Sequence, residues 1–253
     1  MAKLDRNGVK IHYEVHGSGP TILLSHGYSS TSRMWDGQVA ALKDRYRVIV
    51  WDFRGHGESD YPADQNQYSE ALTVGDMKAL LDHVGAKKAI VAGLSLGGYM
   101  SLAFHATHPE MVGALMLFDT GPGFKKDDAR AKWNETAHAR AAKFDAEGLK
   151  ALNQSDEVKL TRHRDATGLA GAARGMLAQQ NDRVIQSLES IKVPTLVLVG
   201  ANDTNFLAAT DYMAAKIAGA TKAVIPNAGH AANLHQPALF NQAVEAFLAK
   251  LPA

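Results

Sequence analysis

One short stretch decides how this chain folds: Gly93-Leu94-Ser95-Leu96-Gly97-Gly98. It follows an apolar run at residues 89–93, which predicts a short strand buried on both faces of a sheet. The residues from Leu96 onward read as a helix that ends before Pro109. A serine in the pattern G-x-S-x-G between a strand and a helix is typical of a sharp turn that exposes its hydroxyl. We therefore expect Ser95 to be a nucleophile.

The rest of the chain repeats this alternation of short apolar runs and longer amphipathic ones. Strands are predicted over residues 9–15, 21–25, 47–51, 89–93, 112–118, 194–200 and 222–226. Helices are predicted over residues 35–42, 69–84, 96–108, 207–217 and 237–251. This alternation of strands and helices predicts a doubly wound α/β sheet, in which functional side chains lie at the carboxyl ends of the strands.

Residues from about 121 to 191 interrupt the alternation, because they contain helical patterns without a convincing strand. The clearest helical patterns cover residues 129–143 and 167–180. We expect a helical cap insertion at 122–190 on a core made of 1–121 and 191–253, together forming a single folding domain. Insertions at this edge of a sheet usually shape a binding site. The alternative is an extra helical layer with no part in binding.

A serine hydroxyl is a weak nucleophile at neutral pH, so Ser95 needs a general base. Of the 11 histidines, His230 fits best, because it follows a strand's carboxyl end and precedes the last helix. Asp203, which also follows a predicted strand, is expected to orient the imidazole. Asp119, at the end of the neighbouring predicted strand, is the alternative acid. His163, in the insertion, stays open as a substrate contact.

Acyl transfer also requires donors that stabilise the developing oxyanion. We expect two backbone N–H groups: that of Leu96, directly after the nucleophile, and that of Tyr28, in the loop after the strand at 21–25. Substrate contacts are predicted for three side chains in or near this site. They are His26, Trp133 and Phe206. A mostly apolar pocket for a short or medium acyl chain is expected.

The composition fits a protein that acts on a small molecule. The chain is 46% hydrophobic, with 27 basic and 26 acidic residues and no block of like charge, so neither nucleic acid nor a membrane is expected as a partner. It has no cysteine, which excludes disulfides and a thiolate nucleophile, and neither a metal nor another cofactor is expected. Without an apolar signal segment at its start, a cytoplasmic protein is expected, as a monomer or a homodimer.

The sequence resembles the α/β-hydrolase superfamily over essentially its full length. Four motifs in order carry the resemblance: His26-Gly27, Asp52-Phe53-Arg54-Gly55-His56-Gly57-Glu58-Ser59, the turn around Ser95, and Gly229-His230. The chain is most similar to small, cap-bearing bacterial serine esterases and 3-oxoadipate enol-lactonase-like enzymes. The resemblance implies an eight-stranded, mostly parallel sheet flanked by helices, with a helical cap insertion.

These observations predict a serine hydrolase. We expect a carboxylic ester hydrolase that cleaves an ester or lactone through an acyl-enzyme on Ser95. Three alternatives stay open from the sequence, one of which is cofactor-free perhydrolysis as a side activity of the acyl-enzyme. The same three residues, Ser95, Asp203 and His230, also suit hydrolysis of a carbon–carbon bond. A ligand receptor of slow turnover on the same fold is the third alternative.

Overall fold

The computed structural model describes residues 2–252 and contains one eight-stranded sheet. Its strands are β1 (Ala2–Arg6), β2 (Val9–His16), β3 (Thr21–Ser25), β4 (Arg47–Trp51), β5 (Ala89–Leu94), β6 (Val112–Phe118), β7 (Thr195–Gly200) and β8 (Thr221–Ile225). Across the sheet the order is β1-β2-β4-β3-β5-β6-β7-β8. β2 runs antiparallel to β1 and β4, whereas β3 to β8 are parallel to one another. The predicted eight-stranded, mostly parallel sheet is confirmed.

Helices connect the parallel strands, as the alternating pattern predicts. They are α1 (Asp36–Leu42), α2 (Glu70–His83), α3 (Leu96–Thr107), α4 (Asp127–Glu147), α5 (Asp156–Lys159), α6 (Thr167–Ala172), α7 (Arg183–Gln186), α8 (Leu207–Lys216), α9 (Ala232–His235) and α10 (Pro237–Leu248). The helix predicted over 167–180 is wrong beyond Ala172, because the chain widens into a π-helical turn at Ala173–Leu177. This turn lies where Gly175 packs directly on the Tyr68 backbone. Among residues 2–252, no helix combines the length and apolar character needed to cross a bilayer.

The sheet is covered on both faces, which explains the continuous apolar runs of its strands. On one face, α1 and α10 enclose a cluster that includes Trp35, Phe118 and Phe240, all almost fully buried. On the other face, α2, α3 and α8 enclose a second cluster around Trp51 and Phe104. Burying each of these large side chains contributes about 1.5–3 kcal/mol. The two layers fix the strands, and with them the loops at their carboxyl ends.

β1 is the strand that the sequence does not predict. Its residues are mostly charged, and only Leu4 packs against the core. It pairs with β2 at the edge of the sheet, in register from Ala2 opposite Tyr13 to Arg6 opposite Val9. An edge strand needs no continuous apolar run, because one side and much of its surface face solvent.

The chain between β6 and β7 contains α4 to α7 and, within the described residues, no strand. This segment, residues 122–190, is called the cap segment below. Its Trp133 and Met176 pack into the cluster that also covers one face of the sheet. Its Phe144 and Leu169 form a further cluster against Tyr28, from the loop after β3. The cap segment therefore lies directly on the loop at the carboxyl end of β3.

Candidate active site

Ser95 occupies the sharp turn between β5 and α3. Its backbone angles are φ 55° and ψ −118°, a left-handed conformation that costs about 1–3 kcal/mol for a residue with a side chain. Two hydrogen bonds from the end of β6 hold it: the Ser95 N–H donates to the Phe118 carbonyl at 2.9 Å, and the Thr120 hydroxyl donates to the Ser95 carbonyl at 2.6 Å. Leu94 and Leu96 on either side are buried, whereas Ser95 stays partly exposed. The turn therefore presents the serine hydroxyl outward.

A close backbone contact beneath this turn requires glycine at position 97. A Cβ at Gly97 would lie 2.1 Å from the carbonyl oxygen of Ser25, a separation that real Cβ atoms do not reach. The loop after β3 passes the serine on the other side. A Cβ built at Gly27 would lie 3.5 Å from the Cβ of Ser95. The start of α3 and the loop after β3 are thus in contact around Ser95.

His230 and Asp203 are hydrogen-bonded, with Nδ1 of the imidazole 2.7 Å from Oδ2 of the carboxylate. Asp203 is buried in the loop after β7, and half-buried His230 lies in the loop after β8. Burial favours the neutral imidazole, but the hydrogen bond and negative charge of Asp203 outweigh it, so the pKa of His230 is raised. Because Nδ1 faces the carboxylate, Nε2 is the ring nitrogen left for a proton transfer.

Asp119, the alternative acid, does not bond to His230. Its side chain is fully buried, and Oδ1 accepts the Gly200 N–H at 2.8 Å. Its Oδ2 has no hydrogen-bond partner among the described residues. Burial raises the pKa of Asp119 to about 8, only partly offset by the Gly200 N–H and by His230. Of the two carboxyl groups, the structure pairs Asp203 with the imidazole.

The adjacent parallel strands β5, β6, β7 and β8 end at the same edge of the sheet. Ser95, Asp119, Asp203 and His230 all follow these ends, which is why they share one region. In the described part of the chain, no hydrogen bond joins Ser95 Oγ to the His230 imidazole. Contacts of this kind are often long without substrate and tighten when it binds.

The backbone N–H groups of Leu96 and Tyr28 donate to no acceptor within residues 2–252. Leu96 is the first residue of α3, where no helical carbonyl is available to its N–H. The Tyr28 N–H belongs to the same peptide unit as the Gly27 carbonyl, and hydrogen bonds to this carbonyl hold the unit in place. The Gly27 carbonyl accepts the Ser30 N–H at 3.1 Å and a hydrogen bond from His26 Nδ1 at 2.7 Å. A peptide unit is planar and trans, so this also fixes the direction of the Tyr28 N–H.

His26 was predicted to contact substrate, and the structure corrects this. Its ring has no exposed surface, and Nε2 accepts the Phe53 N–H at 3.0 Å. The proton therefore lies on Nδ1, which donates it to the Gly27 carbonyl. The sequence places His26 in the loop but does not reveal that the ring lies beneath it. Its part is to support the loop, and burial lowers its pKa to about 4.

Phe206 and Trp133, the other predicted substrate contacts, are both half-buried. The Phe206 ring stacks on the His230 imidazole, with centroids 5.1 Å apart and planes 23° apart. Phe206 therefore lies within the site. The Trp133 indole N–H donates to the Leu177 carbonyl at 2.8 Å, and its ring packs 5.8 Å from that of Phe124. Trp133 is thus bonded within the cap segment, and its contact with substrate stays a prediction.

Thr120 supports the site, although its sequence position alone did not single it out. Its hydroxyl holds the Ser95 carbonyl, as described above. Thr120 could have been found only from the parallel pairing of β5 with β6, because this pairing places the residues after Phe118 beside the turn at Ser95. His163 bonds to backbone groups through both ring nitrogens and so corrects the open expectation of a substrate contact. Within residues 2–252, no three His, Asp or Glu side chains are grouped so as to hold a metal ion.

Comparison with known proteins shows the family to which the chain belongs. A sequence model of the alpha/beta hydrolase family matches residues 22–243. The 3-oxoadipate enol-lactonase 2 of Acinetobacter baylyi is 30% identical over 97% of this chain and 95% of its own length. The structure of a thermophilic esterase from Thermogutta terrifontis superposes with a TM-score of 0.87 at 27% identity, covering 100% of both chains.

The enol-lactonase from Burkholderia xenovorans LB400 superposes with a TM-score of 0.81 at 27% identity, covering 98% of this chain and all of that one. Both structural matches therefore cover nearly the whole chain. On the family match, these relatives and the fold, the chain belongs to the alpha/beta hydrolase family.

Proposed function

We propose that this protein is a serine hydrolase that cleaves a carboxylic ester or a lactone through an acyl-enzyme on Ser95. The observation that carries the proposal is the turn at Ser95, with φ 55° and a partly exposed side chain. A strained conformation persists only where the surrounding structure imposes it, and such positions cluster at active sites. The enol-lactonase of Acinetobacter baylyi and the esterase of Thermogutta terrifontis support the substrate class.

In the proposed acylation step, Ser95 Oγ attacks the carbonyl carbon while His230 Nε2 accepts the hydroxyl proton. The carbonyl oxygen becomes an oxyanion, which the N–H groups of Tyr28 and Leu96 stabilise. Asp203, 2.7 Å from Nδ1, orients the ring and stabilises the imidazolium. When the carbon–oxygen bond to the leaving group breaks, Nε2 returns the proton to the departing alcohol. The acyl group is then esterified to Ser95.

Deacylation repeats the same steps with water. His230 Nε2 removes a proton from a water molecule, whose oxygen attacks the acyl carbonyl. The bond to Ser95 Oγ breaks, and the serine regains its proton from the imidazolium. The products are the free carboxylic acid and the alcohol, or a single hydroxy or keto acid when the substrate is a lactone.

The cap segment is proposed to contribute an apolar wall to the substrate pocket. Phe144 and Leu169 pack against Tyr28, with the Phe144 and Tyr28 ring centroids 6.3 Å apart. The Tyr28 hydroxyl already donates to the Leu169 carbonyl at 2.9 Å, so the ring presents an apolar surface beside the proposed oxyanion donor. Phe206 adds a second apolar surface against His230. These contacts support a substrate with an apolar group next to its carbonyl.

Initial rates on p-nitrophenyl esters from acetate to laurate, and on a simple lactone, test the proposal. We expect Ser95→Ala to lose a factor of about 10³ or more in kcat, because the covalent path is removed. Ser190→Ala is the matched control, since Ser190 is exposed and its hydroxyl bonds only to the Ser187 carbonyl. This control is expected to keep the wild-type rate.

Near-normal turnover by Ser95→Ala would refute the proposed mechanism. No turnover of any of these substrates by the wild type would refute ester and lactone hydrolysis. The two alternative functions would then be tested. Turnover of a vinylogous 1,5-diketone would indicate a carbon–carbon hydrolase, and a ligand-induced thermal shift without product release would indicate a slow-turnover receptor.

A further inference from the structure

Ser29, the residue directly after Tyr28, is held by two histidines from distant parts of the chain. Its N–H donates to Nε2 of His56 at 3.2 Å, and its carbonyl lies 3.0 Å from Nε2 of His163. His56 belongs to the 52–59 turn, whereas His163 belongs to the cap segment. Ser29 has φ 57°, a left-handed conformation that a residue with a side chain rarely adopts. The backbone beside the proposed oxyanion donor is therefore held in place from both sides.

The partners of His163 define where its proton lies. Nδ1 accepts the Gly57 N–H at 3.2 Å, so the proton is on Nε2, which donates to the Ser29 carbonyl. His56 makes the same kind of contact, accepting through Nε2 and donating through Nδ1 to the Arg54 carbonyl at 3.0 Å. Only a neutral imidazole accepts at one nitrogen and donates at the other. Both contacts to Ser29 therefore require neutral rings.

We propose that His163 is a positioning residue for the oxyanion site: it fixes Ser29, and through Ser29 the Tyr28 N–H, as long as its imidazole is neutral. The inference rests on the proposed function, in which the Tyr28 N–H binds the oxyanion. It gives the cap segment a part in the chemistry that does not require contact with substrate. The segment completes the oxyanion site by a hydrogen bond across 134 positions of the sequence.

Protonation of His163 would break this arrangement. A proton on Nδ1 would face the Gly57 N–H, so two donors would meet and the ring would have to move. Burial lowers the pKa of His163, against the raising effect of its bond to Ser29 and of the Asp52 charge. The Asp52 oxygens accept the N–H groups of Ser32 and Glu58, whereas both ring nitrogens of His163 contact backbone groups. The other titratable or charged groups near the ring are His26, His56, Tyr61 and Arg164.

Two substitutions separate the two hydrogen bonds of His163. Glutamine carries its amide nitrogen near the position of Nε2, so His163→Gln is able to donate to the Ser29 carbonyl. Asparagine reaches only the position of Nδ1, so His163→Asn keeps an acceptor for the Gly57 N–H and loses the bond to Ser29. We expect His163→Asn to lose about tenfold in kcat with KM within about twofold, and His163→Gln to stay within about threefold of wild type.

The acid side of the pH profile distinguishes positioning from a purely structural role. In the wild type, both His230 and His163 must be neutral for full activity. As the pH falls, the slope of log kcat against pH therefore approaches two, one for each proton taken up. In both variants the slope is expected to be smaller by one proton, because the His163 ring is gone. Burial holds the pKa of His56 well below its usual value, so His56 becomes protonated only at lower pH. Equal losses in the two variants, with a lower melting temperature and an unchanged pH slope, would overturn the proposal.

Hydrogen exchange of the peptide that covers residues 26–30 tests the contact without using the reaction. Faster exchange in His163→Asn than in His163→Gln and the wild type is expected, and equal exchange in all three would overturn the inference. A wild-type protein without Ser95-dependent hydrolysis would refute the proposed function instead. The exchange data would then still decide whether His163 holds Ser29.

Discussion

Asp203 Oδ2 accepts a hydrogen bond from His230 Nδ1 at 2.7 Å, between the loops that follow β7 and β8. The same two loops are joined through the backbone, since the Asn202 N–H donates to the Ala228 carbonyl at 2.8 Å. Asp119, one strand away, instead accepts the Gly200 N–H. The pairing of β7 with β8 therefore decides which carboxylate reaches the imidazole.

Replacing Asp203 by asparagine tests this assignment. We expect Asp203→Asn to lose about 10³–10⁴ in kcat, because the imidazole loses its orienting charge. The pKa of His230 is raised by Asp203, so its removal lowers that pKa and moves the acid side of the kcat profile to lower pH. Asp119→Asn is the matched control, with an expected loss of less than about tenfold. The reverse ranking of the two variants would make Asp119 the acid.

Asp119 also predicts a pH dependence of stability. Burial raises its pKa to about 8, so the folded carboxyl stays protonated where the unfolded one, with a pKa of about 3.9, is ionised. Folding then takes up a proton, and stability falls as pH rises across this window, by up to about 1.4 kcal/mol per pH unit. Asp119→Asn removes this dependence and keeps an acceptor for the Gly200 N–H.

Urea unfolding of the wild type and Asp119→Asn at several pH values measures the effect. The free energy of unfolding of the variant, relative to wild type, should increase from about pH 5 to about pH 8. A difference that stays constant over this range would mean that Asp119 is ionised in the folded protein throughout.

Phe206 is expected to set the environment of the His230 ring on which it stacks. Phe206→Leu removes the ring that stacks on His230 and so exposes the imidazole to more water. Because burial lowers the pKa of His230, this exposure is expected to raise that pKa. The acid side of the kcat profile should move to higher pH, with a loss in kcat of about three- to tenfold. Phe206→Tyr keeps the aromatic ring and should retain the wild-type profile. Identical profiles for the leucine variant and wild type would limit Phe206 to packing.

Gly97→Ala should destabilise the protein strongly, because its Cβ would meet the Ser25 carbonyl at 2.1 Å. We expect a cost of at least about 1–3 kcal/mol in the free energy of unfolding. Gly37→Ala is the control, since Gly37 is exposed in α1 and nothing lies within 4 Å of the added Cβ. That change should be neutral or stabilising by up to about 1 kcal/mol. Similar denaturation midpoints for both variants would contradict the close packing beneath Ser95.

The fold was predictable where a local pattern coincides with burial. Each predicted strand lies within one or two residues of an observed one, because a covered parallel strand must be apolar along its whole length. The start of α2 was also predictable from the local sequence, because Ser69 caps the helix by accepting the Leu72 N–H at 3.1 Å. β1 was missed because an edge strand carries charged residues and only Leu4 packs inward.

From the sequence it was possible to predict which residues follow the strand ends at the site, but not which of their side chains meet. Asp119 and Asp203 both follow strands on one edge, and only the pairing of the strands and the side-chain direction separate them. The sequence also does not reveal on which side of a loop a ring lies, so the buried His26 looked like a substrate contact. His163 is far from Ser29 in sequence, and no spacing rule connects the two.

Covalent labelling with an alkyl fluorophosphonate tests the central claim most directly, because this reagent reacts with an activated serine and mimics the tetrahedral intermediate. Intact-mass and peptide mass spectrometry would measure the number and position of adducts. The account predicts one adduct per chain, on Ser95, that is absent in Ser95→Ala and forms far more slowly in Asp203→Asn. An unmodified wild-type protein, or an adduct on another residue while ester turnover persists, would contradict it.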